Sequence, residues 1–132
     1  MGMPHITAAE LKIMKVLWER GPATVRQVLD ALEFDSDAPP AYTTVMTMMK
    51  QLADKNALAV DRERQPFVYT PLVRREQILG QRVMQFLQNV FDGQAEELML
   101  HLADEANLSP EALRRIEEKI RKREQADRRS RK

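Results

Sequence analysis

The stretch AYTTVMTMMKQL, residues 41–52, decides the fold, because two different stripes repeat along it with helical spacing. One stripe is apolar and consists of Val45, Met48, Met49 and Leu52. The other is small, hydroxylated and cationic, and consists of Thr43, Met46, Thr47 and Lys50. The second stripe begins two residues earlier, and two residues turn a helix by roughly 200°. We therefore predict a third helix over residues 41–56 that buries the first stripe and points the second away from the core.

The chemistry of the outward stripe favours contact with DNA. Threonine hydroxyls hydrogen-bond base edges or phosphates, threonine methyls and methionine contact the thymine methyl group, and lysine pairs with phosphate or guanine. An ordinary exposed helix face would be richer in Glu, Lys and Gln, and the three threonines of TTVMT (43–47) lower helix propensity. The outward N-terminal half of this helix also lacks any carboxylate. The alternative is an ordinary solvent-exposed face.

Two short helices are predicted upstream of this stretch. The first follows the capping box TAAE (7–10), in which a hydroxyl and a carboxylate satisfy the first helical N–H groups. Its apolar positions are Leu11, Met14, Val16, Leu17 and Trp18. Gly21-Pro22 ends it, and Thr24 can cap a second helix with apolar positions Val25, Val28, Leu29 and Leu32. FDSDAPP (34–40), with two prolines, is predicted to be a linker.

Two β-prone runs follow the third helix. They are LAVDR (58–62) and FVYTPL (67–72), and the turn residues 63–66 between them predict a hairpin. Three short helices followed by a hairpin are the order of a winged helix-turn-helix domain, in which the second helix of the motif enters the major groove. The fold class is therefore mainly α, with residues 1–72 as a DNA-binding domain of three helices and a β-hairpin wing.

Residues 73–132 are predicted to form three further helices, over 74–91, 95–106 and from about 110 onward. Sixty residues bury only about 60% of their unfolded surface, and these helices carry wide apolar stripes. We expect a second copy to cover the excess, so that a twofold homodimer presents two reading helices to a pseudo-palindromic site. One continuous monomeric core across both halves is the alternative. The predicted dimerisation residues are Ile78, Val83, Phe86, Leu87, Val90, Phe91, Leu98, Leu102, Leu113, Ile116 and Ile120.

The net charge of +1 hides an uneven distribution. Residues 1–72 sum to −1, residues 73–118 to −4 and residues 119–132 to +6. The basic tail is either a solvated helix end that frays or a segment that contacts nucleic acid. The cations expected to meet DNA phosphates around the third helix are Lys12, Lys15, Arg26, Arg62 and Arg64.

Several other classes of protein fit the sequence poorly. The absence of Cys excludes disulfides and thiolate chemistry, and no apolar run or leader suggests membrane insertion or secretion, so the expected location is the cytoplasm. His5 and His101 lie in no catalytic pattern, so we predict neither an enzyme nor a metal or cofactor site. The serious alternative is a winged-helix adaptor for protein contacts, which should carry large apolar or acidic groups on the outward stripe.

Three segments together resemble a known family. ALKIMKVLWERGPATVRQVLDAL, PAYTTVMTMMKQLADKNALAV and FVYTPLVRREQ are similar to the penicillinase-repressor family of bacterial regulators, the BlaI/MecI/CopY type, over about residues 7–122. The resemblance implies a repressor that binds an inverted-repeat operator as a homodimer and dimerises through three C-terminal helices. Carried over by position, Thr43, Thr44, Met46 and Thr47 face operator bases, and Tyr42 and Lys50 lie beside the backbone.

The chain also departs from the family pattern. Gln51 stands where the family often has Arg, and Asn56 where it usually has Gly, although Asn tolerates the left-handed conformation of a helix end. Antibiotic-responsive members are inactivated by a membrane-linked sensor protease system that leads to cleavage at an Asn-Phe bond. The matching dipeptide is His101-Leu102, so release by proteolysis stays open. Copper sensing through a C-terminal cysteine cluster is excluded.

Overall fold

The computed structural model describes residues 3–34 and 36–131, which form six helices and one antiparallel pair of strands. Asp35 of the predicted linker and Lys132 of the basic tail lie outside the described residues, as do Met1 and Gly2. The elements are α1 (Ala8–Arg20), α2 (Val25–Phe34), α3 (Tyr42–Asp54), β1 (Leu58–Asp61), β2 (Val68–Pro71), α4 (Arg75–Phe91), α5 (Ala95–Glu105) and α6 (Pro110–Ser130). This order confirms the mainly α fold with a winged helix-turn-helix and three C-terminal helices.

Side-chain caps begin three of the helices, and the first two are caps that the sequence predicts. Thr7 Oγ1 accepts a hydrogen bond from the Glu10 N–H at 3.2 Å, and Glu10 Oε1 accepts one from the Thr7 N–H at 2.9 Å. Thr24 and Gln27 form the same reciprocal pair at the start of α2. Ser109 Oγ accepts from the Ala112 N–H at 3.0 Å and begins α6. Each cap satisfies N–H groups that have no partner within the helix.

The chain divides into two compact units, with the boundary between Val83 and Met84. The core of the first unit is contributed by every element up to the first half of α4. It comprises Ile6, Ile13, Met14, Leu17, Ala23, Val25, Val28, Leu29, Val45, Met49, Leu52, Ala57, Leu58, Tyr69 and Ile78. Ile13 is completely buried, although the sequence analysis left it out of the apolar face of α1. The sequence-predicted Val16 and Trp18 only pack at the edge of this core.

The wing is an antiparallel hairpin joined to the helices by backbone hydrogen bonds. Its register pairs Leu58 with Pro71 and Val60 with Tyr69. Tyr69 also forms a bridge with Ala23, between α1 and α2, through N–H to carbonyl hydrogen bonds of 2.8 and 3.1 Å. Asn56, just before β1, has a φ of 64°, the left-handed conformation anticipated at this helix end. Strand β2 is therefore hydrogen-bonded both to β1 and to the segment between α1 and α2.

The beginning of α4 belongs to the first unit. Trp18 Nε1 donates a hydrogen bond of 2.9 Å to the carbonyl of Val73, and Arg82 donates one of 3.1 Å to the carbonyl of Ile6. Ile78, predicted as a dimerisation residue, is 0% exposed and packs in the core of this unit. Because it offers no surface to a partner, we remove Ile78 from that set. The predicted domain boundary after residue 72 stays a prediction, while the compact units divide eleven residues later.

A buried ion pair links the start of α1 to the residue that ends α3. Glu10 is 2% exposed, and its Oε1 accepts a hydrogen bond of 2.6 Å from Lys55 Nζ. The same ammonium donates to the carbonyl of His5 at 2.9 Å. Burial by itself would raise the pKa of Glu10, but the hydrogen bonds from Lys55 and Thr7 outweigh it and hold the pKa below its usual value. The sequence identified Glu10 only as part of a capping box.

The second unit comprises the end of α4 together with α5 and α6. Asp92 and Gly93 both have positive φ, 52° and 81°, and this turn separates α4 from α5. The Phe91 ring lies 5.9 Å from that of Phe86 and 5.3 Å from that of His101, measured between centroids. Leu87 is 8% exposed, whereas many other apolar side chains of this unit remain open to solvent.

The last helix carries the basic segment. It continues to Ser130, so residues 119–130 are helical, and all of their side chains are exposed. Across residues 3–34 and 36–131, no helix combines the length and apolar character needed to cross a membrane.

Candidate nucleic-acid interface

The outward face of α3 is built as the two-stripe pattern predicts. Val45, Met49 and Leu52 are completely buried against the other helices, and Met48 is half-buried. The side chains of the opposite stripe are exposed, and Thr44 beside them is exposed too: Thr43, Met46, Thr47 and Lys50. Packing of the apolar stripe therefore fixes which groups α3 presents to solvent, and these are hydroxyls, one thioether and one ammonium.

The N-terminal end of α3 is open. Its N-cap is Ala41, which provides no side-chain hydrogen bond, and its first turn contains no acidic residue. The free N–H groups and the positive end of the helix dipole therefore favour an anion such as a DNA phosphate. Arg26 lies beside this end, with its guanidinium carbon 5.1 Å from the centroid of the Tyr42 ring. Its 4.0 Å pair with Asp30 is exposed and weak, so stacking on Tyr42 is the main restraint on Arg26.

Two grooves run along α3 on the side of the wing. The smaller has a volume of about 200 Å³ and lies between the starts of α2 and α3 and the wing; Arg26, Tyr42, Met46 and Phe67 are among its lining residues. The larger, of about 540 Å³, lies between the middle of α3 and the wing and brings together Met46, Thr47, Lys50, Arg62 and Phe67. The predicted cations Arg26, Lys50 and Arg62 thus lie next to the outward stripe.

A third, open depression of about 340 Å³ lies on α3 itself. It is lined by Thr43, Thr44, Thr47, Met48 and Gln51. Gln51 is exposed there, at the position where the family pattern often has Arg. Lys12, Lys15 and Arg64 are exposed but line none of these three depressions, so the structure does not bring them into the same cluster.

Phe67 is the functional candidate that sequence reasoning missed. It is 36% exposed and lines both of the grooves beside the wing. Its spacing of two residues from Tyr69 was the available signal, because alternate residues of a strand share a face. Tyr69 also lines both grooves and is 6% exposed. Its burial raises the pKa of its phenol, although Arg62 partly opposes the shift, so the hydroxyl remains neutral.

Metal ligands and the two histidines are the other features considered in the part of the chain that the structure describes. No group of three or more His, Asp or Glu side chains there is arranged to hold a metal ion. His5 is exposed at the start of the chain, and His101 lies on α5 against the Phe91 ring.

Comparisons with known proteins identify the family of the chain. A family model described as "Penicillinase repressor" matches residues 6–122. The chain is 30% identical over 127 residues to a penicillinase repressor of Bacillus licheniformis, spanning 92% of this chain and 98% of that protein. The chain belongs to the penicillinase repressor family. The resemblance that the sequence segments carry is thus confirmed.

Further members of the penicillinase repressor family support the assignment. The transcriptional regulator BlaI of Mycobacterium tuberculosis is 35% identical over 115 residues, which is 82% of each chain. Among solved structures, the solution structure of the DNA-binding domain of the repressor BlaI is 33% identical. It covers 58% of this chain and 90% of that one, with a TM-score of 0.50. The first unit of the protein therefore has the winged-helix fold of the BlaI DNA-binding domain.

Proposed function

We propose that this protein is a sequence-specific DNA-binding transcriptional repressor that places α3 in the major groove of an operator. The observation that carries the proposal is the exposed face of α3, where Thr43, Met46 and Thr47 stand free of carboxylates beside Lys50. Such hydroxyl and methyl groups read base edges, and lysine contacts phosphate or guanine. The DNA-binding domain of BlaI and the curated penicillinase repressor support the same function.

Phosphate contacts would come from both sides of α3. The open N-terminal end of the helix and Arg26, stacked on Tyr42, suit one strand, while Arg62 on the wing suits the other. Arg64, Lys12 and Lys15 would add contacts only where the duplex extends beyond the grooves. Few cations cluster at the interface, so we expect a shallow salt dependence of binding.

The exposed apolar side chains at the end of α4 and in α5 and α6 support a homodimer. Of the predicted set, Val83 at the end of the first unit and the following second-unit residues are 39–57% exposed: Phe86, Val90, Leu102, Leu113 and Ile120. Leu87 is buried, and Phe91, Leu98 and Ile116 are half-buried. A soluble monomer rarely leaves so many large apolar groups open. A twofold dimer would cover them and would match an inverted-repeat operator.

The proposal is tested by selecting fragments of the source genome on the full-length protein and measuring their affinity by fluorescence anisotropy. We expect a common inverted repeat among the recovered fragments. Thr47→Ala should reduce the discrimination between this site and an unrelated duplex by about tenfold, roughly the loss of one base contact. Lys50→Met should instead weaken both duplexes and lower the salt slope by about 0.9, as loss of one phosphate contact does. Absence of binding to every fragment at low salt would refute the repressor and favour the protein adaptor.

The dimer is tested by sedimentation velocity at micromolar concentration. We expect a species of twice the 15.3 kDa chain mass, and Val90→Asp should shift it toward the monomer without loss of helix content. Lys122→Asp serves as the control, because Lys122 is exposed on the side of α6 opposite Leu113 and Ile120 and should leave an apolar interface intact. A monomer at all concentrations would refute the dimer but leave DNA reading by α3 untouched.

Release of the repressor by proteolysis is a further part of the proposal. His101 and Leu102 both lie on α5 with exposed side chains, so a protease would have to open this helix to reach the bond. Mass spectrometry of the protein from induced cells tests this point. A new terminus between His101 and Leu102 would support a sensor protease as partner, and an intact chain during derepression would exclude cleavage there.

A further inference from the structure

Two large apolar side chains stand exposed in the centre of the proposed interface. Met46 on α3 is 43% exposed and Phe67 at the base of the wing is 36% exposed. Both line the groove of about 200 Å³ and the groove of about 540 Å³, so they form the ridge that the two grooves share. Exposed apolar groups that line the same grooves indicate a surface that a ligand covers.

The backbone that follows Phe67 is anchored to the rest of the first unit. It immediately precedes β2 and lies two residues before Tyr69, which lines the same two grooves. Tyr69 is anchored by its two backbone hydrogen bonds to Ala23 and by its pairing with Val60 in β1. The backbone next to Phe67 therefore needs little ordering when this residue makes contact.

The charges around the ridge indicate what covers it. Lys50 and Arg62 line the larger groove and Arg26 lines the smaller one, so cations lie on both sides of an apolar centre. The major groove of a duplex has the complementary arrangement, because phosphates border it and the C5-methyl group of thymine is its apolar group. The neutral Tyr69 phenol adds no repulsion toward phosphate.

We propose that Met46 and Phe67 together bind thymine C5-methyl groups of the operator, which makes Phe67 a residue that determines sequence specificity. The inference rests on the proposed function and adds the DNA group that the wing residue Phe67 contacts, which is the thymine methyl. Thymine methyls would cover the ridge when α3 enters the major groove, so specificity at those positions comes from apolar contact and not only from hydrogen bonds.

The experiment removes single methyl groups from the DNA. Each thymine of the shortest duplex recovered in the genomic selection is replaced in turn by deoxyuridine, which keeps base pairing and lacks only the C5-methyl. We expect the Kd of the wild-type protein to rise about fourfold at each thymine that the ridge covers, the factor for exposing one methyl-sized group. In Phe67→Ala that rise should disappear at one or more of these positions, and Phe67→Leu should retain most of it.

Two further variants test whether the loss of the deoxyuridine penalty is specific to the residues of the ridge. Met46→Ala places a good helix former on an exposed helix position, so it should fold and lose the penalty at its own thymine. Phe34→Ala is the control, because Phe34 is 91% exposed in the same unit and lines neither groove. It should leave the Kd and every deoxyuridine penalty unchanged.

Distinct results overturn the inference and the proposed function. Equal binding of thymine and deoxyuridine duplexes by the wild type overturns the inference alone. The same holds if Phe67→Ala weakens both duplexes equally and keeps every penalty, since Phe67 would then contact the backbone or support the fold. A wild-type protein that binds no duplex at low salt overturns both.

Discussion

Substitution of Lys55 by Met tests the buried ion pair that connects α1 to the end of α3. The change removes the ammonium that donates to Glu10 Oε1 and to the His5 carbonyl, and it keeps most of the aliphatic stem. Glu10 is 2% exposed, and its Oε2 already lacks a partner within the described part of the chain. The variant therefore leaves a buried carboxylate whose remaining hydrogen bonds come from Thr7.

The size of the effect follows from the exposure of the two partners. Breaking a fully buried ion pair by removing one partner costs about 3–5 kcal/mol. The Lys55 side chain is 33% exposed, so water reaches part of this pair and we expect about 2 kcal/mol less stability at pH 7. That loss corresponds to roughly a 30-fold change in the unfolding equilibrium.

The dependence on pH supplies a second check of the same reasoning. In the wild type the pKa of Glu10 is lowered, so its stabilisation is present above about pH 4.5 and is lost as the pH falls through the folded-state pKa. In the variant, burial is no longer offset by Lys55, and we expect the pKa of Glu10 to rise. The difference in unfolding free energy between the two proteins should therefore shrink as the pH falls from 7 toward 4.

Urea unfolding followed by the fluorescence of Trp18 measures the effect, because this single tryptophan packs in the first unit. Lys50→Met is the matched control: Lys50 is exposed on the same helix, and its loss should change stability by less than about 0.5 kcal/mol. Glu10→Gln/Lys55→Met should recover part of the stability, since it buries no uncompensated charge. A loss below about 0.5 kcal/mol for Lys55→Met, or one independent of pH, would refute the reasoning.

The remaining predictions concern the stability of the first unit, measured by Trp18 fluorescence except where Trp18 itself is replaced. Asn56 has a φ of 64°, so Asn56→Gly should preserve or raise stability while Asn56→Val should lower it by about 1–2 kcal/mol; equal effects of the two would exclude a conformational origin. Ile78→Ala should lower stability by about 2–5 kcal/mol at every protein concentration, whereas a dimer-interface residue would show a concentration-dependent loss. Trp18→Phe removes the hydrogen bond to Val73 and should cost about 1–3 kcal/mol by circular dichroism, because the carbonyl loses its donor; an unchanged midpoint would contradict that role.

The local elements and the face that α3 buries are predictable from the sequence alone. Helix caps depend on residues three apart, and the buried stripe of α3 extends over eight residues, so both signals are complete within a short segment. The hairpin and the left-handed conformation of Asn56 are local in the same sense. This is why the winged-helix order and the exposed hydroxyl stripe were predictable from a single chain.

Contacts between segments that are distant in the sequence depend on how the whole unit packs, and the sequence pattern did not predict them. Glu10 and Lys55 are 45 residues apart, and nothing local distinguishes Lys55 from an exposed lysine. Phe67 meets α3 only because the hairpin pairs and Tyr69 anchors it to Ala23. Ile78 has the same helical spacing as the exposed residues of α4, and its burial depends on packing against the first three helices and the wing. Periodicity states which face of a helix is apolar, but the partner that covers that face is chosen by packing across the whole unit.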